Sequence, residues 1–310
     1  MFIVDTHCDT LLVRAGLGDA TVPCVTPQTL RAGGVTVQVC ALFAGSFGPD
    51  AQGAQAPATM AEAELGALPQ LTENGVRLVE SPSQAREGET CCMLSLEGAE
   101  VFGDSLDRLR QLRALGARLC ALTWNFENLL ASPHCAHGQR ALKPFGWECV
   151  REMARLGMAV DVSHLGEGGF WDLIFHAPLP PMASHSCCRA LCRHTRNLTD
   201  DQIRALIECG GYIGVNFYTR FVKEEGPCTL EDVCDHFVHI AELGGAGNMG
   251  LGSDFDGIDS APQGLQSPAD VPALLEALRG RGFTQPEIEG IAGGNFLKYF
   301  QPFEGRAVSA

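Results

Sequence analysis

The sequence contains no Cys-x-x-Cys pair, although fourteen cysteines are spread over its 310 residues. Zinc ribbons and zinc fingers hold their metal with such closely spaced pairs, so the spacing argues against a structural cysteine–zinc site. The chain is also too long for a small secreted domain that depends on disulfide bonds. We therefore expect free thiols, most of them buried, in a reducing cytosol.

Long hydrophobic runs are absent as well, since no stretch reaches the roughly 18 consecutive apolar residues that a membrane-spanning helix needs. The segment Phe2–Val4 leads directly into polar residues, without the basic and apolar regions of a signal peptide. The last residues, 306–310, do not form the hydrophobic tail of a lipid anchor. These features predict a cytoplasmic protein without a membrane partner.

Basic residues are scarce, with 22 Lys and Arg against 37 Asp and Glu and a formal net charge of −15. This excess of negative charge disfavours nucleic acids and anionic membranes as partners. The hydrophobic fraction of 45% and the charged fraction of 19% allow a large buried core, which argues against intrinsic disorder.

Short β-type segments alternate with amphipathic helical segments along the chain. Eight segments are mostly apolar on both faces, as buried parallel strands are. These predicted strands are Phe2–Thr6, Val35–Phe43, Cys91–Leu96, Arg118–Thr123, Ala159–Ser163, Met182–Ser184, Tyr212–Phe217 and Met249–Ser253. The predicted helices are Thr59–Asn74, Leu106–Leu115, Phe145–Leu156, Leu198–Cys209 with Asn197 as its cap, Leu230–Leu243, Ala269–Leu278 and Glu287–Phe300.

This alternation predicts an α/β fold, a TIM-type (β/α)8 barrel formed by residues 1–310 as a single domain. The alternative is a doubly wound open sheet, which would need a phosphate-binding glycine loop or similar crevice chemistry. No G-x-G-x-x-G motif follows the first predicted strand. The glycine- and proline-rich segment Gly45–Pro57 is the best candidate for a long loop, and no segment has the composition of a domain linker.

Residues with metal-binding side chains follow the predicted strands at the ends where barrel active sites form. His7 and Asp9 are two residues apart after the first strand, so both side chains point the same way on an extended backbone. Glu97 follows the third strand, and its two carboxylate oxygens can bridge two metal ions. His164 and His185 follow the fifth and sixth strands. Alone each motif is weak, but their common position is hard to obtain by chance.

Together these residues predict two metal ions, one held by His7 and Asp9 and the other by His164 and His185, with Glu97 shared. Nitrogen and oxygen ligands without thiolate fit zinc best, although manganese, cobalt and iron use the same ligands. A hydroxide between the two ions would be the nucleophile, because a bound metal lowers the pKa of water towards about 7. Asp254 follows the eighth strand, and we expect it to handle the proton of that water.

Several other residues have two interpretations. Trp124 and Asn125 end the fourth predicted strand and can line the pocket. Arg196 is either an exposed arginine or a bidentate partner for a substrate carboxylate. His134 and His137 lie in the loop after the fourth strand, either solvated or in contact with substrate.

The complete set of motifs resembles the membrane (renal) dipeptidase family. The motifs are Asp5-Thr6-His7-Cys8-Asp9, Glu97-Gly98, Asp161-Val162-Ser163-His164, Ser184-His185-Ser186, Arg196-Asn197-Leu198-Thr199-Asp200, Val215-Asn216-Phe217-Tyr218, Gly252-Ser253-Asp254-Phe255-Asp256-Gly257 and Gly294-Asn295-Phe296-Leu297. The likeness extends from about residue 3 to about residue 300. The combination is highly specific, although its parts are not.

The resemblance implies a zinc-dependent dipeptidase that cleaves free dipeptides, including those with a C-terminal D-residue, and that forms a homodimer. It implies the same ligands as above, Asp254 as the proton shuttle and Arg196 as the partner of the substrate carboxylate. Mammalian members have a substrate-contacting histidine at the position of Trp124, followed here by Asn125. This difference, with no signal or anchor segment, indicates a microbial, cytoplasmic relative.

Two alternatives remain open from the sequence. One is another two-metal barrel hydrolase, acting on lactones, cyclic amides or phosphoesters, because one barrel fold supports many reactions. The other is an inactive metal-binding scaffold, which the presence of all five ligands and Asp254 disfavours.

Overall fold

The computed structural model describes residues 1–306 except positions 19, 21, 46, 137 and 139, so His137 lies outside the described residues. The described part of the chain forms nine parallel strands. They are β1 Ile3–Asp5, β2 Val35–Phe43, β3 Arg77–Leu78, β4 Cys91–Glu97, β5 Ala117–Ala121, β6 Ala159–Asp161, β7 Met182–Ala183, β8 Tyr212–Val215 and β9 Met249–Leu251.

Eight of these strands close into a barrel, which confirms the predicted fold. Neighbouring strands pair in the order β2, β1, β9, β8, β7, β6, β5, β4, and the pairing of β2 with β4 closes the ring. The short strand β3 pairs only with the start of β4 and lies outside the barrel. All nine residues of β2 and all seven of β4 are buried, because the barrel interior covers one face and helices cover the other.

Helices surround the barrel in the alternation expected of this fold. They are α1 Thr10–Arg14, α2 Pro27–Ala32, α3 Pro57–Ala67, α4 Pro69–Thr72, α5 Leu106–Ala114, α6 Pro144–Leu156, α7 Glu167–His176, α8 Asp200–Glu208, α9 Thr219–Val222, α10 Leu230–Glu242, α11 Val271–Gly280, α12 Gln285–Glu289 and α13 Asn295–Phe300. None of the helices described here is both long and apolar enough to cross a membrane.

The C-terminal segment closes the end of the barrel at which the strands begin. Phe296, Phe300 and Phe303 are buried in one cluster with residues from the first halves of the strands, such as Val37 and Tyr212. This packing leaves the opposite end, where the strands finish, as the place for an active site.

Several helix boundaries differ from the prediction. The segment Thr59–Asn74 is two helices, because Pro69 starts a new one. The helix expected at Leu198 begins at Asp200, and its cap is Thr199, not Asn197, because Thr199 and Gln202 form a reciprocal capping box.

The helices differ from the prediction in two further ways, near the end of the chain and in the number of helices. The last predicted helix, Glu287–Phe300, is interrupted by a π-helical turn at Gly290–Gly294. Helices α1, α2, α7 and α9 were not predicted.

The cysteines are free thiols, as expected. Most are buried in the core, including Cys8, and only Cys135 is exposed.

Candidate metal centre

The ends of four neighbouring or facing strands bring all five predicted ligands together. His7 and Asp9 follow β1, Glu97 is the last residue of β4, and His164 and His185 follow β6 and β7. In each of three groups, one potential ligand atom per residue lies within 4.8 Å of the others. The first group is His7, Asp9 and Glu97, and the second is Glu97, His164 and His185, so Glu97 is common to both. The third is His7, His185 and Asp254, which takes one histidine from each of the other two.

The two oxygens of Glu97 face different groups. Its Oε2 lies 3.3 Å from His7 Nε2, while its Oε1 lies 3.1 Å from His164 Nε2 and 3.6 Å from His185 Nε2. Asp9 Oδ2 completes the first group at 3.5 Å from His7 Nε2. A carboxylate with one oxygen on each side is the arrangement that a bridging ligand requires.

The donor atoms of the first group fit a bound cation. His7 Nε2 and Asp9 Oδ1 are buried and have no hydrogen-bond partner among the residues described. Buried polar atoms are normally hydrogen-bonded, so such atoms indicate a ligand that completes the site. Three carboxylates approach His7 Nε2 within 3.6 Å, from Asp9, Glu97 and Asp254, which further favours a positive ion.

Electrostatic crowding shifts the acids of this group. Burial, and then the charge of Glu97, raise the pKa of Asp9 to about 8. Burial alone would raise the pKa of Glu97, but His7 and the hydrogen bonds from the other histidines hold it well below its usual range. Burial would lower the pKa of His7, but Glu97 and Asp9 raise it well above its ordinary value. These opposed shifts arise because two acids and a histidine are buried side by side.

Burial disfavours the charged forms of the two histidines in the second group. Burial, with the charge of Arg196, lowers the pKa of His164 to about 4, and burial lowers that of His185 well below its ordinary value. A neutral imidazole is the form that binds a metal ion.

Hydrogen bonds to the far side of each ring orient these two histidines. His185 Nδ1 lies 2.7 Å from Ser184 Oγ, which in turn hydrogen-bonds Asp161. His164 Nδ1 lies 2.9 Å from Asn125 Oδ1. The two Nε2 atoms lie 3.1 Å apart, so without a metal one of them carries a proton. Metal ligation needs the tautomer in which both Nδ1 atoms donate and both Nε2 lone pairs are free.

Asp254 lies beside the first group in a strained backbone conformation. Its φ is 66°, as is that of His164, and such left-handed values are uncommon for residues other than glycine. Asn216 Nδ2 donates to Asp254 Oδ2 at 2.9 Å, while Oδ1 lies 3.6 Å from His7 Nε2. Burial raises the pKa of Asp254 to about 6. The acid therefore has one oxygen held by the protein and one facing the cluster.

The turn after Asp254 brings the backbone very close to the site. A Cβ atom on Gly257 would lie 2.0 Å from Asp9 Oδ2 and 2.8 Å from Asp254 Oδ1, so only glycine fits. Asp256 lies in the same turn and accepts hydrogen bonds from the backbone amides of Cys24 and Val25, which precede α2.

Arg196 is buried next to the second group, not exposed. Its Nη1 donates to Ser186 Oγ at 2.7 Å and its Nη2 to the carbonyl of His185 at 2.8 Å. Its Nε has no partner, and no carboxylate of the described residues lies within 4.0 Å of its guanidinium group. Arg196, His134 and His164 line a cavity of about 150 Å³. This buried positive charge is available for an anionic group.

Trp124 and Asn125 lie at the edge of the site, and their expected contact with substrate stays a prediction. The Trp124 ring packs edge-on against Phe43 at 5.0 Å and lies 6.2 Å from the ring of His164. The side-chain oxygen of Asn125 contacts His164 and His134.

Some residues of the site were not assigned by the sequence analysis. Asp161, Ser184 and Asn216 appeared only as parts of motifs, and their contacts join separate strands. Glu64 on α3 is fully buried, accepts a hydrogen bond from the amide of Phe43, and has a pKa raised well above its usual value by burial. Glu64 lies in an ordinary helical segment, and nothing in the sequence around it predicts a buried carboxyl group.

Comparisons with known proteins identify the family of the chain and relatives that share its fold. Residues 1–308 match the family described as membrane dipeptidase, peptidase family M19. A protein of Schizosaccharomyces pombe named as an uncharacterized dipeptidase is 36% identical over 224 residues, which are 70% of this chain and 54% of that protein. The chain thus spans about half the length of this curated relative.

Two solved structures share the fold over almost their full length. A metallopeptidase from Rhodobacter sphaeroides, bound to a phosphinate mimic of the dipeptide L-Ala-D-Ala, has a TM-score of 0.86 and 25% identity, covering 98% of this chain and 99% of that one. Dipeptidase AC, a metallopeptidase of family M19, has a TM-score of 0.87 and 26% identity, covering 97% and 98%.

The (β/α)8 barrel and the cluster of acids and histidines at its strand ends define a class of barrel proteins with a candidate metal centre at that end. Within that class, the chain belongs to the membrane dipeptidase family, peptidase family M19. The family resemblance expected from the motifs is therefore confirmed.

Proposed function

We propose that the protein is a metal-dependent dipeptidase that hydrolyses the peptide bond of free dipeptides. The observation that carries this proposal is the buried guanidinium group of Arg196, which has no acidic partner in the described structure and lies directly beside the predicted ligand His185. A buried unpaired charge is costly, so the site favours a substrate with a free carboxylate.

The five ligands suit two zinc ions, with His7 and Asp9 at one position, His164 and His185 at the other, and Glu97 at both. When bound, the ions would polarise the scissile carbonyl and lower the pKa of a water molecule, which makes a nucleophile at neutral pH. The unpartnered His7 Nε2 and Asp9 Oδ1 and the divided contacts of the two Glu97 oxygens support this assignment.

Arg196 sets the direction in which a dipeptide lies. Its two Nη atoms are held by Ser186 and by the backbone of His185, so the guanidinium group cannot turn away from the site. A charge-assisted contact with the C-terminal carboxylate would place the peptide bond towards the ligand cluster. The Rhodobacter sphaeroides relative was solved with a mimic of L-Ala-D-Ala, and we extend acceptance of a C-terminal D-residue to this chain.

Asp254 moves the proton. Asn216 holds Oδ2 and the backbone amide of Asp254 donates to the carbonyl of His7 at 3.1 Å, so Oδ1 stays directed towards the cluster. From this position Oδ1 can accept the proton of the attacking water and return it to the leaving amine.

The test is hydrolysis of dipeptides with L- or D-residues at the C-terminal position, measured with added zinc and after a chelator. We expect metal-dependent cleavage that is lost in His185→Ala. Asp254→Asn has a side chain of nearly the same size but cannot accept and return a proton. It should therefore retain its metal and lose turnover by at least about 100-fold, the lower end of the range for a general acid–base group. Full turnover in Asp254→Asn would refute the assignment of Asp254.

If the protein binds two ions but cleaves no dipeptide, the substrate would instead be a lactone, a cyclic amide or a phosphoester, or the protein would be an inactive metal-binding scaffold. The homodimer and the cytoplasmic location stay predictions, which sedimentation analysis and cell fractionation would test.

A further inference from the structure

His134 lies outside the ligand set and is connected to the ligand His164. It lies in the loop after β5, and the ring is half-buried. Its Nε2 lies 3.2 Å from Asn125 Oδ1, and its Nδ1 lies 2.9 Å from Thr195 Oγ1. Its backbone amide donates to the carbonyl of His164 at 2.7 Å. His134 thus contacts His164 directly through the backbone and indirectly through Asn125.

The hydrogen-bond chemistry determines which atoms donate. An amide oxygen only accepts, so with the Asn125 amide oriented as it is, His164 Nδ1 and His134 Nε2 would both donate to Asn125 Oδ1. The bare Nδ1 of His134 then accepts from the hydroxyl of Thr195. If the amide nitrogen of Asn125 faced the two rings instead, His164 would carry its proton on Nε2 and could not bind a metal there.

The contacts of His134 also support the backbone of His164. Its φ of 66° is unfavourable for a residue with a side chain, so surrounding contacts have to maintain it. The carbonyl of His164 accepts from the amide of His134 and from Thr123 Oγ1 at 3.2 Å, and Pro133 pairs with Leu165 as an isolated antiparallel bridge. Backbone hydrogen bonds from Pro133–His134 therefore hold the segment of chain around His164 in place.

We propose that His134 is a positioning residue that fixes the orientation and tautomer of His164 through Asn125 and joins it to Thr195, the neighbour of Arg196. This role deepens the proposed function and rests on it. Without the imidazole, Asn125 keeps one donor of two, and its amide can rotate. His164 then loses the partner that keeps Nε2 free for the metal, while His7 and Asp9 are unaffected.

The effect should therefore be confined to one metal position. Loss of a hydrogen-bond partner behind a metal-binding histidine typically lowers metal affinity by about 10- to 100-fold. His134→Phe keeps a ring of similar size and leaves Asn125, the direct partner of His164, in place. We therefore expect one ion to bind about 10-fold more weakly, the lower end of that range, and the other as in the wild type. His134→Gln, whose amide can still donate to Asn125, should lie between the two. Thr195→Val should cause a smaller loss than His134→Phe.

The experiment is a titration of the metal-free proteins with Zn²⁺ or Co²⁺ alone, in competition with a chelating indicator. The visible spectrum of the cobalt form reports the ligands directly. His176→Phe is the matched control, because His176 is an exposed histidine at the end of α7, and it should bind both ions normally. With a dipeptide, His134→Phe should lower kcat more than it raises KM.

Wild-type affinity for both ions in His134→Phe, or an equal loss at both positions, would overturn the proposal. If His134→Phe does not fold, unchanged affinity and an unchanged cobalt spectrum in His134→Gln and Thr195→Val would overturn it instead. A wild-type protein that binds only one ion overturns the proposal together with the two-metal site. Two ions bound without cleavage of dipeptides would refute the proposed function, while the metal titration would still decide the role of His134.

Discussion

Substitution of Gly257 by alanine tests whether the close approach of the backbone to the acids is needed for the metal site. The added Cβ would lie 2.0 Å from Asp9 Oδ2, while ordinary contact begins near 3.4 Å, so the oxygen has to retreat by about 1.4 Å, the difference between these distances. Asp254 Oδ1, at 2.8 Å, has to move as well. Gly257 does not have a positive φ, so the backbone itself tolerates alanine.

A displacement of about 1 Å at a catalytic group can reduce the rate about 100-fold, and here a metal ligand and the proton carrier move together. We therefore expect Gly257→Ala to lower kcat/KM by about 100-fold or more and to weaken zinc binding. Overpacking of this kind costs about 1–3 kcal/mol, so the metal-free protein should remain folded. Steady-state kinetics, metal analysis and urea unfolding of the metal-free protein measure the three effects.

Gly66→Ala is the matched control for this substitution. Gly66 lies in α3, and a Cβ there meets no atom within 4 Å, so alanine should stabilise the helix by about 0.5–1 kcal/mol without changing activity. Gly257→Ala with the metal content and kcat/KM of the wild type would show that Asp9 and Asp254 do not act from their observed positions.

Three further predictions concern separate parts of the structure. Arg196→Met removes the charge-assisted contact with a substrate carboxylate, worth about 1.5–3 kcal/mol, so kcat/KM should fall about 10- to 100-fold, mainly through KM; an unchanged KM would refute that contact. Ser184→Ala removes the hydrogen-bond partner of His185 and should weaken zinc binding about 10- to 100-fold in a chelator competition assay; wild-type affinity would contradict the orienting role. His236 is buried, its Nδ1 accepts from the amide of Cys188 and its Nε2 donates to the carbonyl of Val222, and burial lowers its pKa to about 4. Since the unfolded chain binds this proton from about pH 6.5 downwards and the folded chain does not, stability is complete above that pH and falls by up to about 3 kcal/mol as the pH drops to 4; urea unfolding should show a weaker pH dependence in His236→Phe than in the wild type, and equal dependence would exclude His236 as the cause.

The strands of the barrel were predictable because each has a local signature. A segment such as Val35–Phe43 is apolar on both faces, and a strand covered on two sides needs that pattern. Strand β3 has no such pattern, because only two residues pair with the start of β4, and neither is fully buried.

Helix boundaries were less predictable where two residues could each cap the same helix. Thr199 prevails over Asn197 because Asn197 donates instead to the carbonyls of Cys192 and Phe221.

The ligand set was also predictable, since the ends of parallel strands meet at one end of a barrel. The orientation of the ligands was not, because it depends on contacts between distant segments. Ser253 bonds Asp5 across 248 residues of sequence, and Asn125 bonds His164 across 39. A local pattern carries no information about such partners. Likewise, nothing in the sequence near His164 distinguishes a left-handed backbone from an extended one.

Two buried aspartates show how the barrel supports these strained positions. Asp5, the last residue of β1, accepts hydrogen bonds from the amide and the hydroxyl of Ser253, next to Asp254. Asp161, the last residue of β6, accepts from the amides of Ser163 and Ser184. Each carboxylate joins its strand to the neighbouring one at the point where the chain leaves the barrel.

Two of the three non-glycine residues with left-handed backbones in the described part of the chain, Asp254 and His164, lie one residue beyond these anchored serines, Ser253 and Ser163; the third is Asp256. A left-handed conformation costs about 1–3 kcal/mol and persists only when surrounding contacts hold it. Buried carboxylates can supply that support, since their hydrogen bonds to backbone amides are stronger than those of neutral groups. The anchored strand ends therefore explain why these side chains can enter the site at angles that an ordinary strand exit does not provide.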